Sequence, residues 1–452
     1  MKKYLPFLVT LLVSVIFLNS VKGQGKVLDA YVEEGLSQNL EVVKSRLAIQ
    51  KQQLKAVEAN RQFRPTIDLK SDYLLAVGGR DIAFPIGDLF NPIHGTLNDL
   101  SGADNFPTNL ENVNEQFLPN NFHDTRFVIN QPIINPSIYY NQKIQEQLIG
   151  VEEEKMNVVK LNLKQQIKET YYNYLKTSAV LAIYDSTQLV LEELLRVNEK
   201  LVQFEKATED VVYSVKYELQ LLESQRRAAF QDRYLAQSFF NLLLNKPLDS
   251  EIIEETKAFD SQTVAMTTKV MLETAFNQRP ELKQIRQGID ANLWVEKLQS
   301  KANQPTLGAQ ANLGFQGFGF DLTEQAYGTV GLGFSWKIFD NKINKNRIEQ
   351  AQINTMELQQ DLAMAQQQIE LQVRDAWFAL QTAQQKLKAE EASLISAERS
   401  FDIIQKKYKA DQAILIEYLD ARNKVTNSRI AVSISQFDVL IRQSALESAI
   451  AN

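Results

Sequence analysis

The chain has 452 residues, with 49 Lys and Arg against 55 Asp and Glu, for a net charge of −6. No segment is strongly basic and no long Lys/Arg run occurs, which argues against a nucleic-acid binder. It contains no cysteine, so disulfides, thiolate metal sites and an N-terminal lipid-bearing cysteine are excluded.

Residues 1–23, MKKYLPFLVTLLVSVIFLNSVKG, combine Lys2 and Lys3, an apolar core from Leu5 to Leu18, and the small residues Val21 and Gly23 at cleavage positions. The pattern predicts a secretory signal peptide cut before Gln24. The apolar core is shorter than the roughly 20 residues of a membrane-spanning helix, and no longer apolar stretch follows. Attachment to a membrane must then come from something other than a helix or a lipid.

A long polar stretch follows and stops at FRPTIDLKSDY (63–73). From Thr66 the period changes to two: Ile67, Leu69 and Tyr73 fall on one face, Asp68, Lys70 and Asp72 on the other. Residues 126–131, 306–315 and 328–336 alternate in the same way, the last placing Val330, Leu332, Phe334 and Trp336 opposite Gly331, Gly333 and Ser335. These are four predicted strands, each with an apolar and a polar side. Their length suits a tilted crossing of a bilayer, with Tyr73, Phe315, Tyr327 and Trp336 near their ends as interfacial aromatics. A soluble sandwich produces the same alternation.

Between the strands lie tracts with neither Gly nor Pro, from Gly150 to Pro247 and from Phe334 to the C-terminus. Both are rich in Gln, Glu, Lys, Leu and Ala, the residues that lose little entropy in a helix. Apolar residues recur at three- and four-residue steps, as in Leu191, Leu194, Leu195 and Leu201. A helix from Ser137 to Phe204 would be about 100 Å long, so these helices must pack side by side as coiled coils.

The chain also repeats itself. A shift of 240 aligns Glu41 with Glu281, Ile49 with Ile289, Leu54 with Trp294, Pro65 with Pro305 and Thr66 with Thr306 without a gap. A shift of 205 to 206 places Ile129 on Phe334, Ile167 on Val373 and Tyr172 on Phe378, and a shift of 204 places Phe204 on Tyr408 and Val215 on Leu419. A duplicated unit of helix, strand, loop, strand, long helix, turn and returning helix results. Pro65 and Pro305 become equivalent stops, because proline cannot donate to a helix and turns the preceding residue away from helical angles.

The order of these features, with GFSWKIFDN (333–341) before a long helix and YKADQAILIEYLDA (408–421) at a helical turn, resembles the outer membrane efflux proteins of TolC type. The resemblance covers essentially the whole chain after the signal peptide. It implies a mainly α fold with a membrane β-barrel, in which three chains pool four strands each and long-helix hairpins continue the barrel as a periplasmic tunnel. It implies an exit duct of an efflux or type I secretion system in a Gram-negative outer membrane. The partners it implies are two further copies of the chain, a periplasmic adaptor, an inner-membrane transporter and outer-membrane lipid, with no nucleic acid. Independently of resemblance, four strands cannot close around a lumen, and an open edge cannot face lipid, so oligomerisation is required.

On this basis the expected organisation is a signal peptide at 1–23 and a helix over 24–64. Then come a strand pair with a long extracellular loop over 65–134, a helical hairpin over 135–245 and an equatorial connection over 246–268. The second half follows with a helix over 269–304, a strand pair over 305–340 and a second hairpin over 341–452. The insert at about 74–124, rich in Gly, Asn, Pro and Phe, is placed outside the cell because long loops of such barrels are external. It holds both histidines, His94 and His123, which read as loop residues.

No GxSxG, P-loop or HExxH occurs, so there is no positive sign of an enzyme, a metal site or a cofactor. The resemblance instead assigns Glu417 and Asp420 to an acidic constriction at the periplasmic end. Their spacing of three puts them on one helix face, and three-fold symmetry would gather six carboxylates. Tyr408 matches an aromatic of the closing latch, while Ala413 and Ser214 stand where its basic and acidic partners are expected. Lys216, aligned with Asp420, is the substitute candidate. Ala207 and Asp411 occupy turn positions where glycine is usual. A secreted coiled-coil structural or adhesive protein is the rival reading; it accounts for the helices but not for the duplicated strand units.

Overall fold

The computed structural model describes residues 26–255, 267–319 and 325–451. The expected signal peptide and part of the expected 246–268 connection lie outside the described residues. The elements in chain order are α1 (Lys26–Gln38), α2 (Leu40–Arg61), β1 (Thr66–Leu74), β2 (Asp81–Phe84), α3 (Ile86–Ser101), β3 (Val113–Gln116) and β4 (Phe122–Ile134). They continue with α4 (Pro136–Gln203), α5 (Asp210–Leu243), α6 (Thr268–Gln278), α7 (Pro280–Lys301), β5 (Thr306–Phe318), β6 (Ala326–Ser335), α8 (Ile343–Lys409) and α9 (Leu415–Ala449).

By contacts the chain divides into two compact units, one of Met1–Leu54, Glu146–Asn292 and Ile353–Asn452, the other of Lys55–Gln145 and Leu293–Gln352. In the first, the duplication is visible as one core built twice. One cluster contains Val42, Leu163, Ile167, Tyr174, Phe240 and Leu244. The other holds, 240 or 206 positions later, Leu282, Ile369, Val373, Leu380, Leu446 and Ile450. Each of these twelve side chains is at most 4 % exposed. The two copies compensate locally. A Cβ on Gly35 would collide with Cδ1 of Ile167, whereas the second half carries Ala275 and the shorter Val373, both fully buried. Volume is conserved across the pair of positions, as close-packed interiors require.

The helix expected over 24–64 is interrupted. Asn39 separates α1 from α2 and Arg279, 240 positions later, separates α6 from α7. Both side chains cap a returning helix: Asn39 Nδ2 donates to the Leu243 carbonyl at 2.9 Å, and Arg279 Nη1 donates to the Ser448 and Ala449 carbonyls at 3.4 and 3.3 Å. The last carbonyls of a helix have no partner within it, and here the break in a neighbouring helix supplies one.

In the second unit, α2 and α7 stop four residues short of β1 and β5, and Pro65 and Pro305 each stand immediately before their strand. The sheet is antiparallel throughout, in the order β1-β4-β5-β6. β4 and β5 extend beyond the alternating segments seen in sequence, to 13 residues each, with a bulge between Pro132 and Ile134 where proline cannot donate to the ladder. The connection between β1 and β4 is long and holds regular structure. It contains α3 and the hairpin of β2 with β3, because IGDLFNPIHGTLNDLS carries a helical period in spite of Pro92. His94 Nδ1 lies 2.6 Å from the Pro107 carbonyl, and His123, inside β4 rather than in a loop, has Nδ1 3.0 Å from the Gly317 carbonyl.

Candidate functional site

Two places are candidates for function, and each lies within one unit. The first is the four-stranded sheet. Its register puts Ile67, Ile129, Ala311 and Val330 in one row and Leu69, Phe127, Leu313 and Gly328 in another on the same face. On the opposite face, Asp68, Val128, Asn312 and Thr329 run between these rows, flanked by Thr66, Asn130, Gln310 and Gly331 on one side and Lys70, Arg126, Gly314 and Tyr327 on the other. Arg126 pairs with Asp124 and lies 3.8 Å from Asp72, Tyr327 donates to Asp124 at 2.7 Å, and Asn312 donates to Thr329 at 3.0 Å.

The apolar rows are open to the surroundings, with Ile67 at 67 % and Val330 at 83 % exposed. A face of this kind is costly in water and suited to hydrocarbon. β1 and β6 each pair on one side only, so two rows of backbone donors and acceptors stay unmet within one chain. Strands of 9, 13, 13 and 10 residues are long enough for a tilted crossing of a bilayer. Among the described residues no helix is long and apolar enough to cross one.

The second place is where the long helices turn. Just past α4 stands Glu205 and just past α8 Asp411, both left-handed at φ 57° and 56°, and Lys206 and Gln412 donate back to Leu201 and Lys407 at 2.8 Å each. This is the same C-terminal cap twice. It corrects two expectations: Glu205 and not Ala207 takes the left-handed position, and the caps pair Val202, not Phe204, with Tyr408. From the cap to the next helix is five residues in the first turn and four in the second, which is why a gapless alignment slips there.

Around these turns Leu191, Leu194, Val215, Leu222, Leu415, Tyr418 and Leu419 form a third core cluster. Tyr408 packs its ring 5.1 Å from that of Tyr418 and donates its hydroxyl to Asn198 Oδ1 at 3.1 Å. Burial pushes the phenol above its ordinary range, and the Asn198 bond opposes this. Glu417, in the first turn of α9, accepts the Ile414 N–H at 3.3 Å, the reach-back expected of a carboxylate at that position. Asp420 pairs with Lys424 at 2.7 Å one turn on. Both acids are exposed on the single chain. The ammonium of Lys216, the substitute latch candidate, lies 3.8 Å from Glu199 on α4.

A buried ion pair that sequence patterning did not single out ties α9 to α5 here. Arg422 is 7 % exposed and reaches Glu218 on α5 at 3.4 Å, and Asn423 donates to the same carboxylate at 3.1 Å. Arg422 Nε and Nη1 are buried without a hydrogen-bond partner. Burial pushes this guanidinium below its usual value, while Glu218 pulls it back. The available signal was Arg422 on the apolar side of α9, between Leu419 and Val425, a place where an unpaired charge is costly.

The chain thus combines an amphipathic sheet open at both edges with paired long helices. Residues 271–452 match the family described as Outer membrane efflux protein. The chain is 22 % identical over 182 residues to the outer membrane protein TolC of Escherichia coli (strain K12), covering 40 % of this chain and 37 % of TolC. It is 20 % identical over 183 residues to TolC of Salmonella enteritidis, covering 40 % and 36 %. The match thus spans little more than a third of these relatives' length. The fold is that of solved outer-membrane channels. The Campylobacter jejuni CmeC channel matches with a TM-score of 0.70 at 14 % identity, covering 94 % of this chain and 85 % of CmeC. Vibrio cholerae VceC gives 0.70 at 14 % with 94 % and 96 % covered, and the open-state MtrE channel of Neisseria gonorrhoeae 0.72 at 12 % with 94 % and 89 %. Residues 271–452 thus match the outer membrane efflux protein family, and the chain as a whole has the fold of these solved channels.

Proposed function

We propose that the protein is the outer-membrane exit duct of a tripartite efflux or type I secretion system. Three copies close one barrel and pass substrates from an inner-membrane pump, through a periplasmic adaptor, to the exterior. The observation that carries this is the four-stranded sheet: its apolar face is exposed and both edges lack a partner. Joining the β6 edge of one copy to the β1 edge of the next satisfies both rows of backbone groups, which lipid cannot do. The polar rows with Lys70, Asp72, Asp124 and Arg126 then line the lumen. The exposed apolar residues Phe230, Phe239, Met364, Leu371 and Phe378 on α5 and α8, the last three a heptad apart, suit helix packing between copies. A groove of about 470 Å³ beside Tyr408, walled by Leu189, Val190 and Val197, suits an apolar helical partner such as an adaptor hairpin. Purified protein in mild detergent is expected to be a trimer by native mass; monomers alone would remove the basis of the duct.

Glu417 and Asp420 serve in this reading as the constriction at the turn of α8 into α9. Both are exposed on one chain, Asp420 with Lys424 beside it, and in this reading they face copies of themselves across a three-fold axis. Six carboxylates so placed repel each other, favour cations and bind multivalent ions. Glu417→Gln with Asp420→Asn is expected to lose cation selectivity and block by trivalent cations in planar bilayers while the trimer stays intact. Unchanged selectivity and block would return both acids to the solvated surface.

A further inference from the structure

The insert between β1 and β4 is built with its hydrogen-bonding side inward and its apolar side outward. One side of α3 is held by the extended strap that follows it. Asn91 and the backbone of Leu110 exchange two hydrogen bonds at 2.8 Å each. Asn98 does the same with Phe106 at 2.8 and 2.9 Å, and Asp88 accepts from Asn112 at 2.9 Å. The strap passes so close that a Cβ on Gly87 would collide with the Leu110 carbonyl oxygen. The other side of α3 presents Ile86, Leu89, Phe90, Ile93, Leu97 and Leu100, all 38 % to 81 % exposed. At 100° per residue these six fall within about a 100° stripe.

A helix in water turns such a stripe to its core, so this one lacks a partner. Its charge argues against a lipid surface: residues 75–121 hold six Asp and Glu against Arg80 alone, and α3 has no Lys or Arg, whereas helices lying on an anionic membrane carry cations on their polar face. Its position points elsewhere. The insert leaves the sheet at Leu74 and returns at Phe122, and β1 is the edge strand onto which the next copy must add.

We propose that the apolar stripe of α3 packs against the insert of a neighbouring copy, forming an apolar collar between copies at the β1 edge. The inference rests on the trimeric reading above. Because the chain has no cysteine, Ile93→Cys provides a single thiol on the stripe and Asn105→Cys a control beside the strap. A short bis-maleimide applied to the purified trimer is expected to join Ile93→Cys subunits. A three-fold arrangement caps the dimer yield at about two-thirds of the chains, since the third thiol finds no free mate. Asn105→Cys stays monomeric on the denaturing gel. Native mass is measured on the same samples: trimers without Ile93→Cys cross-links overturn the collar alone, whereas monomers overturn the trimer as well. Quenching of a dye at Ile93→Cys by nitroxide lipids, or its full reaction with a charged maleimide on intact cells, would show lipid or water on the stripe and refute the proposal.

Discussion

Glu218→Gln is the most informative perturbation of the helical turns. It preserves shape and one acceptor oxygen but removes the carboxylate facing Arg422. At their 3.4 Å separation the charges attract by about 5 kcal/mol at an effective dielectric of about 20. Removing one member of a buried pair costs about 3–5 kcal/mol, because the other remains buried and uncompensated. Arg422 Nε and Nη1 already lack partners and no second carboxylate is paired with it; its Nη2 bond to the neutral Asn423 side chain and the retained acceptor place the expected cost near 3 kcal/mol, the lower end of that range. The affected segment is the start of α9, which Arg422 and Asn423 tie to α5. Hydrogen exchange reports its local opening, and about 3 kcal/mol corresponds to exchange faster by about 100-fold for amides near 415–425. Arg422→Met removes the buried charge itself and should cost much less; the double variant should recover most of the protection, leaving a coupling of about 2 kcal/mol. Wild-type exchange in Glu218→Gln, or a cost for Arg422→Met equal to that of Glu218→Gln, would refute the assignment of a stabilising ion pair between α5 and α9.

Tyr171 gives a pH test. Burial, partly offset by the Glu255 N–H, pushes its phenol up to about 12, so its contribution is intact below pH 10 and is lost as pH rises from 10 through 12. A Tyr171→Phe variant should gain on wild type by about 3 kcal/mol over that window, read as the difference in thermal unfolding; a constant difference would contradict it. Gly314→Ala places a Cβ against the Thr125 carbonyl and 2.6 Å from Arg126 Cβ. It should cost about 1–3 kcal/mol by overpacking and lower the yield of heat-modifiable barrel, whereas Gly331→Ala, with open space around it, should assemble normally.

The strands and their boundary with the helices were legible because both periods are written locally. Alternation in IDLKSDY and LGAQANLGF can bury only one face of a strand, and Pro65 and Pro305 mark the stops by chemistry internal to the residue. The duplication was equally legible where packing is dense: Val42 and Leu282, or Ile167 and Val373, are held apolar by the same buried place in two copies of one core. What lay beyond the sequence were relations between distant residues. The breaks at Asn39 and Arg279 depend on helix ends some 170 to 200 positions away, and neither residue breaks a helix by itself. α3 holds together through asparagines bonded to a strap, in a stretch whose Gly, Asn and Pro content reads as loop. The turn register was set by left-handed Glu205 and Asp411, because a cap depends on backbone angles that any residue adopts when the hydrogen bonds repay the strain. The pairing of Arg422 with Glu218 was decided by tertiary structure alone: a charge on an apolar helix face announces that a partner is needed, and only packing brings a carboxylate 204 positions away within reach.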